Sequence, residues 1–175
     1  MLPQRGFILV ELLALLAVLI VLLTLAIPSM QRLLTQNRVE TQVSSLTNGL
    51  YYARSEAIAR HEKVTFCSSM NQKNCGGSWR DGQVVLDVQG HVLRVFSPLP
   101  DQDNLFWNSS GGTDEVVVWL PTGYTNGQRG TFYYCAGNHN VEQSRSIVLL
   151  DTGRIYETAM SEQDYEEYCF YNTSK

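Results

Sequence analysis

The residues able to carry chemistry are few, and most stand apart. His61, His91 and His139 fall in no nucleophile or zinc spacing. The glycine-rich stretches CGGSW (75–79) and GGTDE (111–115) lack the G-x-x-x-x-G-K-[ST] spacing of a phosphate loop. Cys67, Cys75, Cys135 and Cys169 are even in number and contain no C-x-x-C pair, so they read as structural disulfides, with three connectivities open. No catalytic set, metal site or cofactor is expected, and the chain is not read as an enzyme. One ionisable group does stand out. Glu11 lies inside QRGFILVELLALLAVLIVLLTLAIP, residues 4 to 28. On insertion scales an ionised carboxylate costs about 2.5–3.5 kcal/mol at a bilayer centre and less near its edge, and its presence in such a segment points to function.

The element that must position Glu11 is the apolar run itself. Residues 7 to 27 form a stretch of 21 that only Glu11 and Thr24 interrupt. At about 1.5 Å per residue a helix over it rises roughly 30 Å, the depth of a bilayer core. A cleaved secretory signal would need a shorter core and a small-residue cleavage site, whereas this run ends in Ile27-Pro28-Ser29. A plain anchor explains the length but not the carboxylate. If the segment spans or exports, the remainder faces an oxidising compartment, where disulfides are expected.

Beyond Pro28 the pattern stays helical but becomes amphipathic. Leu33, Val39, Val43, Leu46, Leu50, Ala53 and Ala57 recur mostly at three- and four-residue steps, with Arg32, Arg38, Glu40, Arg54 and Glu56 between them on what reads as a solvated face. This predicts a helix to about Arg60, with Gly49 its weak point. After His61, strands are predicted at 63–68, 83–88, 91–97, 115–120, 130–135, 145–150 and 153–158, rich in Val, Tyr, Phe and Ile. Gln89-Gly90 and Asp151-Thr152-Gly153 read as hairpin turns, and 98–114 as one long loop. The fold class is therefore α+β, a long N-terminal helix packed on antiparallel sheet. Trp79, Trp107, Trp119 and the Tyr133-Tyr134 pair are read as core or sheet-face packing.

Charge is distributed unevenly. The net charge is −4, and residues 156 to 175 carry Glu157, Glu162, Asp164, Glu166 and Glu167 against Lys175 alone. The rest of the chain is balanced, which does not advertise nucleic-acid binding.

The start of the chain, RGFILVE (residues 5–11), resembles the class III leader of type IV prepilins: a short basic leader ending in glycine, then phenylalanine, then glutamate as the fifth mature residue. The resemblance implies cleavage between Gly6 and Phe7 by an inner-membrane prepilin peptidase, N-methylation of Phe7, and a subunit-registering role for Glu11. Pro28 stands where such proteins commonly end the membrane-buried part. The implied organisation is a leader at 1–6, a membrane and filament-core helix at 7–28, the amphipathic half of that helix at 29–62, and a β-rich pilin domain at 63–175.

A second block narrows the family. LYYARSEAIARHEKVTFCSSMNQKNCGGSWRDGQVV (50–85) resembles the GspH/FimT class of minor pilins and pseudopilins, through the ARSEAI helix end (53–58), a strand holding Cys67, and a turn with Cys75, Trp79, Asp81 and Gly82. TGRI (152–155) is a weaker match. Chain proximity and the family pattern favour Cys67–Cys75 and Cys135–Cys169, loops that contribute roughly 2.5 and 4 kcal/mol in the chain-entropy model. The Asn108-Ser109-Ser110 sequon is read as accidental in a bacterial pilin.

The implied function is that of a minor pilin initiating or capping a type IV pilus near its tip. Its partners would be other minor and major pilins, the prepilin peptidase and the inner-membrane assembly platform. The protein would be single-pass with a periplasmic domain before assembly, and part of the pilus after it. A minor pseudopilin of a type II secretion system is the alternative. A DNA-binding minor pilin is a further one, for which Arg145 and Arg154 are the candidate contacts. Some members of the class use a C-terminal Gly-Arg-x-Arg element, but here Tyr156 replaces the second arginine. Several cations are needed to neutralise phosphates, so nucleic acid is not expected as a partner.

Overall fold

The structure, a computed structural model, describes residues 9–110, 116–137 and 140–170. Gly6, Phe7 and the rest of the leader, together with His139 and the GGTDE stretch, lie outside the described residues. The chain divides into two compact units, Met1–Arg38 and Val39–Lys175. Helix α1 (Leu9–Arg60) contributes to both. It ends where His61 adopts a positive φ of 57° and its amide bonds the Ile58 carbonyl at 3.4 Å, a left-handed cap of the kind that closes many helices.

In the second unit the apolar stripe of α1 is the helical side of the core. Val39, Val43, Leu46, Leu50, Ala53 and Ala57 are all buried. Leu33, which the periodicity also assigns to this face, is exposed. Gly49 has a packing reason: a Cβ there would stand 3.0 Å from the rings of both Phe66 and Phe96. The absent side chain lets two aromatic rings reach the helix.

Among the described residues, eight strands form two antiparallel sheets. The first contains β1 (Val64–Ser68), β2 (Gln83–Leu86), β3 (Val92–Phe96) and β5 (Val116–Trp119), in the order β3-β2-β1-β5. The second contains β4 (Asn104–Ser109), β6 (Gly130–Cys135), β7 (Arg145–Leu149) and β8 (Ile155–Ala159), in the order β4-β6-β7-β8. Seven of the eight coincide with predicted strands, and the β2–β3 and β7–β8 connections are the predicted hairpins.

β4 corrects the reading of 98–114 as loop. Its sequence NLFWNS is bounded and interrupted by polar residues, which hides a period-2 alternation: Leu105 and Trp107 are buried on the core side. Asp103 directly precedes the strand. It is wholly buried, accepting from Tyr134 Oη at 2.5 Å and from the Gly137 amide at 2.9 Å. Such satisfied burial is the condition on which a carboxylate is tolerated inside a fold.

The two sheets meet through aromatic rings. Trp79, in a 3-10 turn at Trp79–Asp81, lies 5.6 Å from Phe66 of β1 and 4.9 Å, edge to face, from Phe132 of β6. Phe132 in turn stacks on Trp107 at 4.2 Å. A capping box fixes the turn, with the Ser78 amide donating to Asp81 Oδ2 at 2.9 Å and the Arg80 amide to Ser78 Oγ. Gly82 leaves it with φ 114°, where a Cβ would fall 2.8 Å from the Phe96 carbonyl oxygen.

A chain beginning at Gln31 should fold as a soluble monomer, because among the described residues the buried core starts at Val39. In that chain Trp79→Ala should lower stability by about 3–5 kcal/mol, as read from urea denaturation. An insoluble parent chain, or a loss below about 1 kcal/mol, would contradict this account of the core.

Candidate assembly surface

From Leu9 to Gln31 the one charged side chain is Glu11, and the large apolar residues around it are exposed, from Leu9 at 72% to Leu34 at 58%. An 18-residue stretch of α1 reaches a mean hydropathy of 3.0. The hydroxyls within and after it are turned back onto the helix: Thr24 Oγ1 donates to the Val21 carbonyl at 2.7 Å, Ser29 Oγ to Ala26 at 2.8 Å and Thr35 Oγ1 to Gln31 at 3.0 Å. Their polarity is therefore satisfied without water, as an apolar surround requires. The helix is long and apolar enough to cross a membrane, and the described large apolar side chains of its first half are exposed in a single chain.

The other end of α1 is locked to the edge of β8. Thr47 Oγ1 donates to Glu157 Oε1 at 3.1 Å, Tyr51 Oη to the Ile155 carbonyl at 3.2 Å, and Arg54 Nη1 to the Gly153 carbonyl at 2.9 Å. Helix positions at i, i+4 and i+7 thus meet every second residue of the chain entering and forming β8. The spacing works because about four residues of helix and two of strand both advance roughly 6–7 Å. The Arg54 guanidinium also sits 6.0 Å over Trp119. Reading it as part of a solvated face is therefore incorrect. Gly153 permits the approach, since a Cβ there would stand 2.2 Å from the Gly123 carbonyl oxygen and 3.2 Å from Arg54 Cζ. The ARSEAI and TGRI segments, distant in sequence, are two halves of this one contact. A lone arginine in an amphipathic pattern gave no signal of it.

Both disulfides are outside the main core. Cys67–Cys75 has its Cα atoms 5.5 Å apart and closes a loop ordered by Asn71, whose Oδ1 accepts from the amides of Lys73 and Asn74, each at 2.9 Å. Cys135–Cys169, also with Cα atoms 5.5 Å apart, pins the acidic C-terminal segment as a helical turn at Glu162–Asp164 and a π-helical turn at Tyr165–Phe170. That segment covers the face of β6 opposite the main core, where Tyr133, Cys135, Met160 and Cys169 form a second cluster. The Tyr168 ring stacks on Tyr133 at 4.1 Å, and Asn108 Nδ2 donates to Tyr168 Oη at 2.6 Å. The sequon asparagine is thereby engaged. Burial, helped by the Glu167 carboxylate, pushes the Tyr168 phenol up to about 12. Burial first and Asp164 second raise that of Tyr133.

The remaining candidates are not brought together. Arg145 pairs with Ala159 at one end of the β7–β8 hairpin and donates to the Glu142 and Ser144 carbonyls at 2.6 and 2.9 Å. Arg154 is at the other end, 5.7 Å over the Tyr156 ring. They cannot form one phosphate cradle. His91 closes the β2–β3 turn with its Nδ1 3.0 Å from Asp87 Oδ2. Against a desolvation that raises it, the bonds from His91 hold the Asp87 carboxyl below its ordinary value.

Residues 42–153 match the protein family described as Type II transport protein GspH. Among solved structures, the type IV minor pilin FimU of Pseudomonas aeruginosa aligns with a TM-score of 0.55 and 19% identity, over 73% of this chain and 90% of that one. The minor pseudopilin EpsH from the type II secretion system of Vibrio cholerae aligns with a TM-score of 0.52 and 11% identity, over 73% and 97%. At these identities the likeness is one of fold. No curated protein matches the sequence.

Arg54→Ala should destabilise the globular unit by about 1–3 kcal/mol, from the lost bond and the ring contact together, as measured by urea denaturation. A second expectation concerns alkali. The folded-state value of Tyr168 lies above the ordinary value of about 10, so its contribution to stability is complete below about pH 10 and lost as pH rises through about 12. Thermal melting should fall over that window, and Tyr168→Phe should make the fall shallower. An unchanged slope would remove Tyr168 as its cause.

Proposed function

Because the chain belongs to the GspH family of type II transport proteins, a family and fold of structural pilin and pseudopilin subunits, we propose that it is a minor pilin that initiates or caps a type IV pilus near its tip. The observation that carries this is the exposed apolar half of α1 with Glu11 as its single charge. Such a surface is stable only in a bilayer or against other subunits of like shape. In this reading the protein waits in the inner membrane with its globular unit periplasmic. The prepilin peptidase cuts between Gly6 and Phe7, and the new amine is methylated. Residues 7–28 then leave the bilayer for the filament core through the assembly platform, alongside other minor and major pilins.

The reading gives Glu11 a physical task. Cleavage creates a cationic amine on Phe7 at the membrane edge. A carboxylate one helical turn away can neutralise an amine, its own or a neighbour's. Inside an apolar core such a pair is tolerated only when both charges are present. The charge would thereby select and register subunits. The family description and the likeness to EpsH support a second reading with the same chemistry, a minor pseudopilin of a type II secretion system.

Mass spectrometry of the mature chain should show loss of residues 1–6 and methylation of the Phe7 amine. Gly6→Val should leave full-length protein in the inner membrane, and Glu11→Ala should leave processed protein that does not enter filaments. Normal maturation of the first or normal incorporation of the second would refute the corresponding role. Loss of pili with intact secretion in a strain lacking the protein would favour the pilus, and the reverse the secretion system.

A further inference from the structure

An exposed sheet edge is a row of unpaired amides and carbonyls, and folds usually cover it. At the start of the β8 edge Tyr51 takes up the Ile155 carbonyl, and Arg54 that of Gly153 just before the strand. The β5 edge is closed at Val118, whose amide donates to Gln128 Oε1 at 3.3 Å and whose carbonyl accepts from the Asn126 amide at 2.9 Å. β4 has the Trp79 turn packed against it. β3 pairs with β2 on one side, and among the described residues neither a strand nor a side chain is hydrogen-bonded to the backbone of its other side.

That open edge borders a groove along α1. Two adjoining hollows of about 530 and 470 Å³ share Asn48 and Arg94. Short polar side chains, chiefly Ser44, Asn48 and Ser55, make up much of their walls, Tyr52 and Phe96 contribute aromatic rings, and Glu40 lines one hollow and Arg54 the other, each away from the shared middle at Asn48 and Arg94. Arg94 stands over those rings, 5.0 Å from the centre of Tyr52 and 5.1 Å from that of Phe96. It has no hydrogen-bond or ion-pair partner among the described residues. The carboxylate of Glu56 is held by Arg60 Nε at 2.6 Å. Stacking holds the guanidinium plane in place and leaves its N–H fork open, which is the arrangement that recognises a carboxylate.

We propose that the groove between α1 and the open edge of β3 docks an extended acidic segment of a partner protein, which adds to β3 as a further strand and places a carboxylate on Arg94. The two features require different things of the occupant. The edge requires an extended main chain and the arginine requires an anion, and an acidic strand supplies both. The serines and Asn48 on the helix side leave room for a backbone, and Glu40 at one end sets the carboxylate's place at Arg94 rather than further along the groove. The inference goes beyond subunit identity and holds whichever filament the chain serves.

The test uses the full chain in detergent micelles and a labelled seven-residue peptide of alternating threonine and valine with a central glutamate. Three controls accompany it: a lysine version, a version with proline flanking the glutamate, and inorganic phosphate as competitor. The glutamate peptide should bind, with hydrogen exchange slowed at 92–96. Binding should weaken roughly ten-fold or more for the lysine and proline versions and for Arg94→Gln, the loss of a charge-assisted bond or of the strand ladder. Arg94→Lys, which keeps the charge but not the planar fork, should fall between. Absence of binding, equal binding of the glutamate and lysine peptides, an unaffected Arg94→Gln chain, or protection elsewhere would overturn the proposal. Equal binding of the proline version, or full displacement by millimolar phosphate, would also overturn it, leaving only an anion contact.

Discussion

Two small sheets of four- to six-residue strands share a core only if something fills the space where they meet, and here that filler is the indole of Trp79. It touches Phe66 on one sheet and Phe132 on the other, and through Phe132 it joins Trp107. The turn carrying it is held by a capping box on one side and by a glycine at positive φ on the other. Aromatic pairs at these separations add about 0.5–1.5 kcal/mol each beyond the area they bury. The indole packs on Phe66, Phe66 meets Phe96 edge to face at 6.0 Å, and these two rings are the ones that a side chain at Gly49 of α1 would crowd.

The same helix answers to two environments. Its residues from Val39 onward are patterned for one buried stripe, whereas those from Leu9 to Ile27 are apolar all round but for Glu11 and Thr24. A helix that is apolar all round has no face for water and requires lipid or protein about it. In the globular unit α1 also serves as an edge cover. Tyr51 and Arg54 take up the carbonyls of Ile155 and Gly153 where the chain enters β8, and Thr47 holds the Glu157 side chain, so the start of that edge strand is tied to the helix. The contrast with β3, whose outer side has no such cover among the described residues, gives the molecule a polarity of surfaces that its composition does not suggest.

The C-terminal segment shows how an unfavourable charge run can be kept in place. Four carboxylates from Glu162 to Glu167 would repel one another and keep the segment in solvent. The bond between Cys135 and Cys169, the stack of Tyr168 on Tyr133 and the bond from Asn108 hold it against the sheet with its apolar side chains inward. Closing a loop of this length by a disulfide is worth about 4 kcal/mol in the chain-entropy model, comparable with the whole of a small apolar cluster.

The sequence by itself determined what depends on periodicity and on local chemistry. A 21-residue apolar run, a three-to-four repeat ending near Arg60 and period-2 strands bounded by turn residues suffice for an α+β pilin architecture, and the ARSEAI and W-x-D-G segments suffice for the family. Only the tertiary structure decided what depends on long-range closure. β4 was hidden because its polar ends outweigh its two inward residues, and it forms because Asp103 finds Tyr134 and Gly137. Arg54 looked like a surface charge until Gly153, 99 positions away, supplied its acceptor. Four cysteines allow three pairings, and the fold brings together one. Arg145 and Arg154 look close along the chain, yet a hairpin sets them at opposite ends. A one-dimensional pattern records which residues prefer burial. It does not record which distant backbone group will be within 3 Å, because that distance exists only once the chain has closed on itself.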